Sequence, residues 1–186
     1  MQPLSPLRWS PNSVIRVVMF GLALTACGAP GPSAQTSPTV VEVIDGDTVV
    51  INFDGHHETV RLLGVDTPET VDPNRPVQCF GPEASQFLQD ALPPGTAVRA
   101  IRDVEARDRF GRLLVYLVRT EDGVFINGEL LRRGFGDIAI YSPNVAYQED
   151  LEHALATART SQAGLWTACG GADIALDPPP VTALVE

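Results

Sequence analysis

No lysine occurs anywhere in this sequence. Thirteen arginines carry all of the side-chain positive charge against 23 acids, for a formal net charge of −10. That balance excludes capture of a polyanion by overall attraction, so any affinity for one must come from clustered arginines or a bound cation. Nucleic-acid binders ordinarily carry a basic footprint, and none is visible here. Histidine is scarce as well: His56 and His57 fall at an expected hairpin tip, and His153 on an expected helix. No serine or cysteine sits in a nucleophile motif, which leaves a triad hydrolase unsupported. The three cysteines lack zinc-ligand spacing. No apolar run is long enough to span a bilayer.

The ends of the chain read differently from its middle. Residues 1–26 have the pattern of an export signal, with Arg8 and Arg16 ahead of the short apolar run Val17 to Ala26. Leu24-Thr25-Ala26-Cys27 resembles a bacterial lipobox, so Cys27 is expected to carry lipid and anchor the protein to a membrane surface in the cell envelope. Cleavage near Ala29 without lipid, giving a secreted protein, is the other reading. Residues 27–39, rich in Pro, Gly and Ser, form an expected flexible linker. The tail 170–186, with Pro178-Pro179-Pro180, acids and no arginine, is expected to be disordered or loosely draped. One domain over 40–169 remains, and a monomer is expected. With Cys27 assigned to lipid, Cys79 and Cys169 are an even pair in an oxidising compartment. A disulfide between them would contribute roughly 4 kcal/mol by restricting the unfolded chain. Two free buried thiols are the alternative.

Within the domain, β-branched runs come first. Thr39 to Ile44, Thr48 to Phe53 and Thr59 to Val65 read as strands, with Asp45-Gly46 and Asp54-Gly55 as the intervening turns. Gly81-Pro82-Glu83 opens a helix to about Leu92, which Pro93-Pro94-Gly95 stops. Ala97 to Asp103 and Leu113 to Arg119 are a fourth and fifth strand, followed by a short helix Ile126 to Arg133. Asn144 is expected to cap a long helix from Val145 to about Ser161, with Leu151, Ala154, Leu155 and Ala158 as its apolar stripe. Five strands with about three helices predict an α+β fold with a mainly β core, a five-stranded Greek-key barrel.

Three segments carry chemistry. Asp45-Gly46-Asp47-Thr48 is an acidic turn. Arg61-Leu62-Leu63-Gly64-Val65-Asp66-Thr67-Pro68-Glu69 ends an apolar strand in two carboxylates, and Asp108-Arg109-Phe110-Gly111-Arg112 is a basic loop. Asp47, Asp66 and a carbonyl that Pro68 leaves without a local donor are oxygen ligands suited to Ca²⁺, with positions left for water and phosphate. Glu69, beyond that pair, is placed to hold a water against phosphorus. An arginine at position 61 on an apolar barrel wall is costly unless paired or facing a cleft. Gly111 is an expected positive-φ position that aims Arg112. Each residue alone has an ordinary structural explanation as turn, surface or paired charge. Together they are the parts needed to cut a phosphodiester, in which arginines and a cation stabilise charge on the equatorial oxygens.

These motifs, together with Gly81-Pro82-Glu83-Ala84-Ser85 and Gly164-Leu165-Trp166, resemble the thermonuclease (staphylococcal nuclease) family in order and approximate spacing, over nearly all of Val40 to Trp166. The resemblance implies an OB-fold barrel and Ca²⁺-dependent endonuclease hydrolysis of DNA and RNA, leaving 5′-hydroxyl and 3′-phosphate ends. It implies Asp47, Asp66 and the Thr67 carbonyl as calcium ligands and Arg61, Glu69 and Arg112 as catalytic residues. Arg109, Phe110 and Tyr141 would contact substrate. Arg109 and Phe110 stand where the family's well-studied member has lysine and tyrosine, and the base-stacking tyrosine pair is reduced to Tyr141. The rival expectation is a catalytically silent OB-fold lipoprotein that binds a polyanion. The presence of both arginines and the glutamate argues against it.

Overall fold

The structure, a computed structural model, describes residues 37–70 and 76–175. The expected export signal, Cys27 and the linker up to residue 36 lie outside the described residues. The sheet begins with β1 (Thr39–Val43), β2 (Thr48–Phe53) and β3 (His56–Leu62), an antiparallel meander. Asp54 and Gly55 take φ of 51° and 91°, the pair of left-handed residues that a two-residue hairpin requires. His56 and His57 stand exposed beside that turn, as expected. β5 (Val98–Ile101) and β6 (Leu113–Arg119) complete a five-stranded sheet in the order β1-β2-β3-β6-β5. The β3–β6 pairing is parallel and sets Arg61 opposite Leu114. The two sheet edges approach at one end, through an antiparallel bridge between Thr39 and Ala97 and backbone bonds from Val40 N–H to Thr96 O and Val98 N–H to Pro38 O. This curled sheet is the β core that the strand pattern predicts, its edges meeting at that bridge and the backbone bonds beside it.

Its interior is filled by Val49, Ile51, Val60, Leu62, Val98, Val115 and Leu117, all at most 1% exposed. Helix α1 (Gly81–Ala91) has proline in its first turn and buries Ala84 and Leu88. Helices α2 (Ile126–Arg132) and α3 (Gln148–Ser161) pack against each other, and α2 also covers β6. This explains why Val115 to Val118 are buried on consecutive positions instead of alternating. The stripe of Leu151, Ala154, Leu155 and Ala158 is buried as expected.

Five details depart from the sequence reading. The third strand is not continuous to Val65: it ends at Leu62, and Gly64, at φ 75°, turns the chain into β4 (Gly64–Asp66). β4 pairs with an unanticipated strand, β7 (Asp137–Ala139). A fourth helix, α4 (Leu165–Ala168), follows α3. Asn144 does not cap α3, which begins three residues later than expected behind Tyr147. Asn144 is buried, and its side chain accepts from the Glu105 N–H at 2.8 Å and donates to the Glu105 carbonyl at 3.3 Å. It ties two loops together, which satisfies its amide better than an exposed helix end would. Finally, the chain does not leave the folded body at residue 170: Cys79 N–H donates to Ile174 O at 2.7 Å, and Gln78 bridges Ala175. Residues 176–186, the remainder of the expected tail, lie outside the described residues.

Candidate active site

The turn carrying Asp47 is closed by its own backbone. Ile44 and Asp45 N–H both donate to the Thr48 carbonyl, and the Asp45 carboxylate accepts the Asp47 N–H at 3.0 Å. Gly46 sits where a Cβ would lie 2.6 Å from Thr67 Oγ1 and 3.0 Å from the Ala84 side chain. Only glycine lets this turn pack directly on the second acidic loop.

Asp47 is therefore buried, at 6% exposure. Its Oδ1 accepts the Thr48 hydroxyl at 3.1 Å. Its Oδ2 accepts the Thr67 N–H at 3.0 Å, the Thr67 hydroxyl at 3.2 Å and an Arg61 Nη1 contact at 2.9 Å. Burial pushes this carboxyl up to about 7 against the pull of Arg61, and the neighbouring Asp45 and Asp66 charges push the same way. The break at Gly64 turns β4 toward this point. Arg61 then reaches over it, with Nη1 donating to the Val65 carbonyl at 2.7 Å and Nη2 to Asp66 Oδ1 at 2.8 Å. One guanidinium thus joins the two carboxylates expected to ligate a cation. The sequence alternatives for Arg61, a paired arginine or a cleft arginine, are both realised.

Glu69 lines the same cleft, and its carboxylate accepts the Thr70 N–H at 2.9 Å. Across from it, the loop 108–112 is built on the Asp108 carboxylate. Oδ1 accepts the N–H groups of Phe110 and Arg112, each at 2.9 Å, and Oδ2 accepts Arg112 Nε at 2.7 Å. Burial alone would raise the Asp108 carboxyl, but the bonds from Arg112 outweigh it and hold the group below its ordinary value. Gly111 takes φ 84°, as its position implies. Phe110 is 70% exposed, with the Arg109 and Arg112 guanidiniums 4.7 and 5.6 Å from its ring centroid. It serves as an aromatic platform for two cations. Tyr141, at 77% exposure, lines an adjoining cavity that also touches Arg61, Arg109, Phe110 and Arg112.

Asp47, Arg61, Asp66, Thr67, Glu69, Arg109, Phe110 and Arg112 accordingly line one cleft of about 590 Å³. That volume is ample for a ligand of nucleotide size. Four carboxylates (Asp45, Asp47, Asp66, Glu69) face three guanidiniums (Arg61, Arg109, Arg112), so the fully ionised cleft is one charge negative. A divalent cation would reverse that sign. The donors present are hard: two carboxylates and the carbonyl next to them. Among the described residues, no three His, Cys, Asp or Glu side chains gather as a metal cage. Such an oxygen set suits a hard cation and leaves its remaining positions to water and phosphate.

The expected disulfide is present: Cys79 and Cys169 are bonded, with Cα atoms 6.0 Å apart, and the free-thiol alternative falls. Sequence reasoning missed three supporting residues. Asp108 was visible in its motif, and an Asp three residues before a Gly-Arg is a readable turn signal. Asn127 is fully buried and bonds the Leu117 N–H and the Leu63 carbonyl, both at 2.8 Å. Gln78, like Asn127, gave no signal, because its partners are remote in sequence.

Comparison with known proteins agrees with this geometry. Residues 59–168 match the family described as Staphylococcal nuclease homologue. The Thermonuclease of Staphylococcus hyicus is 40% identical over 128 residues, 69% of this chain and 74% of the relative. The Thermonuclease of Staphylococcus intermedius is 44% identical over 127 residues, 68% and 74% of the two chains. Endonuclease YncB of Bacillus subtilis is 34% identical over 133 residues, 71% of this chain and 62% of the relative. The family match begins at Thr59, so the Asp47 turn is placed in the cleft by the fold itself and not by that match. The chain belongs to the staphylococcal nuclease homologue family, and its nuclease relatives mark it as an enzyme that hydrolyses phosphodiester bonds.

Proposed function

We propose that this protein is a Ca²⁺-dependent endonuclease acting on DNA, RNA or both, with Arg61, Glu69 and Arg112 as its catalytic residues. The observation that carries the reading is the convergence of two carboxylates, a third carboxylate and three guanidiniums in one cleft, in a chain otherwise too acidic to attract nucleic acid. Asp47, Asp66 and the Thr67 carbonyl would hold the cation. When bound, it supplies positive charge to a phosphate oxygen and turns the cleft attractive to a polyanion.

The chain's own groups do the rest. Glu69 holds a water for in-line attack and accepts its proton at the carboxylate, while the phosphorus–oxygen bond opposite the water breaks and the departing oxygen takes a proton from solvent. Arg61 and Arg112 donate to the equatorial oxygens, on which negative charge grows in the transition state. Arg112 is pre-aimed by Asp108, so little rearrangement accompanies that step. Arg109 contacts a flanking phosphate, and Phe110 and Tyr141 offer stacking faces for bases. A silent polyanion binder would have no use for Glu69 in this cleft.

Kinetics of single variants test the assignment. Glu69→Gln should lose about 10²- to 10⁴-fold in turnover. Arg61→Ala and Arg112→Ala should each lose at least about 10²-fold. Calcium affinity should persist in Glu69→Gln and Arg112→Ala, whereas Asp66→Ala should weaken metal and activity together. Turnover of Glu69→Gln within a few-fold of wild type would refute the mechanism. The Leu24-Thr25-Ala26-Cys27 motif further supports a lipid-anchored envelope protein. The native protein should partition into detergent and Cys27→Ser should abolish that, whereas an unmodified N-terminus near Ala29 by mass spectrometry would rule it out.

A further inference from the structure

Gln78 lies outside every catalytic motif, yet it is 7% exposed and uses both ends of its amide. Oε1 accepts the Glu69 N–H at 2.7 Å, and Nε2 donates to Asp173 Oδ1 at 3.2 Å. Its backbone N–H donates to the Glu69 carbonyl at 2.9 Å. One residue therefore grips both backbone polar groups of Glu69. The start of α1 closes the remaining side: a Cβ on Gly81 would lie 2.6 Å from the Thr70 methyl and 2.9 Å from the Pro68 carbonyl. The stretch 68–70 has no room to move toward that helix.

Gln78 is itself held from the C-terminal side. Its neighbour Cys79 donates to the Ile174 carbonyl at 2.7 Å and is bonded to Cys169, from which the segment 170–175 departs. Gln78 bridges Ala175, and Asp173 receives its amide. The disulfide thus fixes both the residue beside Gln78 and the root of the segment that orients it.

We infer that Gln78 is a positioning residue for Glu69, held in register by Asp173 and the Cys79–Cys169 disulfide, so that segment 170–175 supports the active site. The inference rests on the reading of Glu69 as the residue that acts on the attacking water. A carboxylate that must meet a water and a phosphorus in line loses rate steeply when displaced by about 1 Å. Glu69 lies three residues past the end of β4, outside any strand ladder, so its backbone position depends on such a brace.

The test is steady-state nuclease kinetics in saturating Ca²⁺ on the mature chain. Gln78→Ala, Asp173→Ala and the Cys79→Ser/Cys169→Ser double variant are each made with Glu69 present and with Glu69→Gln. Calcium affinity comes from calorimetry and folding from circular dichroism. Gln78→Ala should lose about 10- to 10²-fold in kcat, with KM and calcium affinity within a few-fold of wild type. Asp173→Ala and the cysteine pair should lose less, and add little to Gln78→Ala. None of the three should matter once Glu69 is Gln. A purely structural role would lower activity equally in both settings, and that result overturns the inference, as does wild-type kcat in Gln78→Ala. Should Gln78→Ala fail to fold, exposed Asp173→Ala decides by the same criterion. An unchanged kcat in Glu69→Gln alone would instead sink the premise, which separates that failure from one of the brace.

Discussion

Asp47 is almost fully buried, and holding the proposed cation would require its ionised form. Burial raises its carboxyl to about 7, with Arg61 as the principal counterweight. A carboxyl whose pKa is higher in the folded state than in the unfolded one costs stability when it ionises. That cost is absent below pH 4, grows as pH rises and is complete above pH 7. The carboxyls of Asp108, paired with Arg112, and Asp122, paired with Arg119, lie below their ordinary values and act in the opposite sense, losing their contribution only at lower pH. The window from pH 4 to 7 therefore belongs to Asp47. In chelator, Asp47→Asn should gain in Tm relative to wild type as pH rises from 5 to 8. Scanning calorimetry showing a difference that is flat with pH would contradict this.

At the scale of elements, the site depends on the break between β3 and β4. Gly64 turns the chain there, and Asn127 fills the gap by holding the Leu63 carbonyl and the Leu117 N–H. Removing its amide leaves buried backbone groups unsatisfied, at about 1–3 kcal/mol each. Asn127→Ala should accordingly lower the denaturant midpoint by several tenths of a molar or more while leaving the m-value unchanged. An unchanged midpoint would show that the break needs no such support. This is also where sequence legibility ends. β2, the Asp54-Gly55 turn and α1 were readable because alternation, turn residues and a first-turn proline are local signals. The motifs that line the cleft were readable because their residue types have few other uses together. The β4–β7 pairing, the role of Asn144 and the grip of Gln78 on Glu69 were not. Each is a long-range satisfaction of backbone groups by neutral amides or three-residue strands, which carry no periodicity. The tail boundary was misplaced for the same reason, since the pairing of 174–175 with 78–79 is invisible to composition.

On the scale of the whole molecule, the central tension is charge. Twenty acids against 11 arginines between Val40 and Cys169 repel nucleic acid at long range, and the ionised side chains of the cleft also sum to a negative charge. Arg61 joins Asp47 and Asp66 and so occupies part of the charge that a cation would use. Binding of the cation and of substrate should then be mutually dependent. The most direct measurement is the initial rate of DNA cleavage by the mature chain, in excess chelator and then with Ca²⁺ restored. The account predicts no cleavage in chelator and full recovery with Ca²⁺, to a rate well above that with Mg²⁺. Robust cleavage in excess chelator would contradict it.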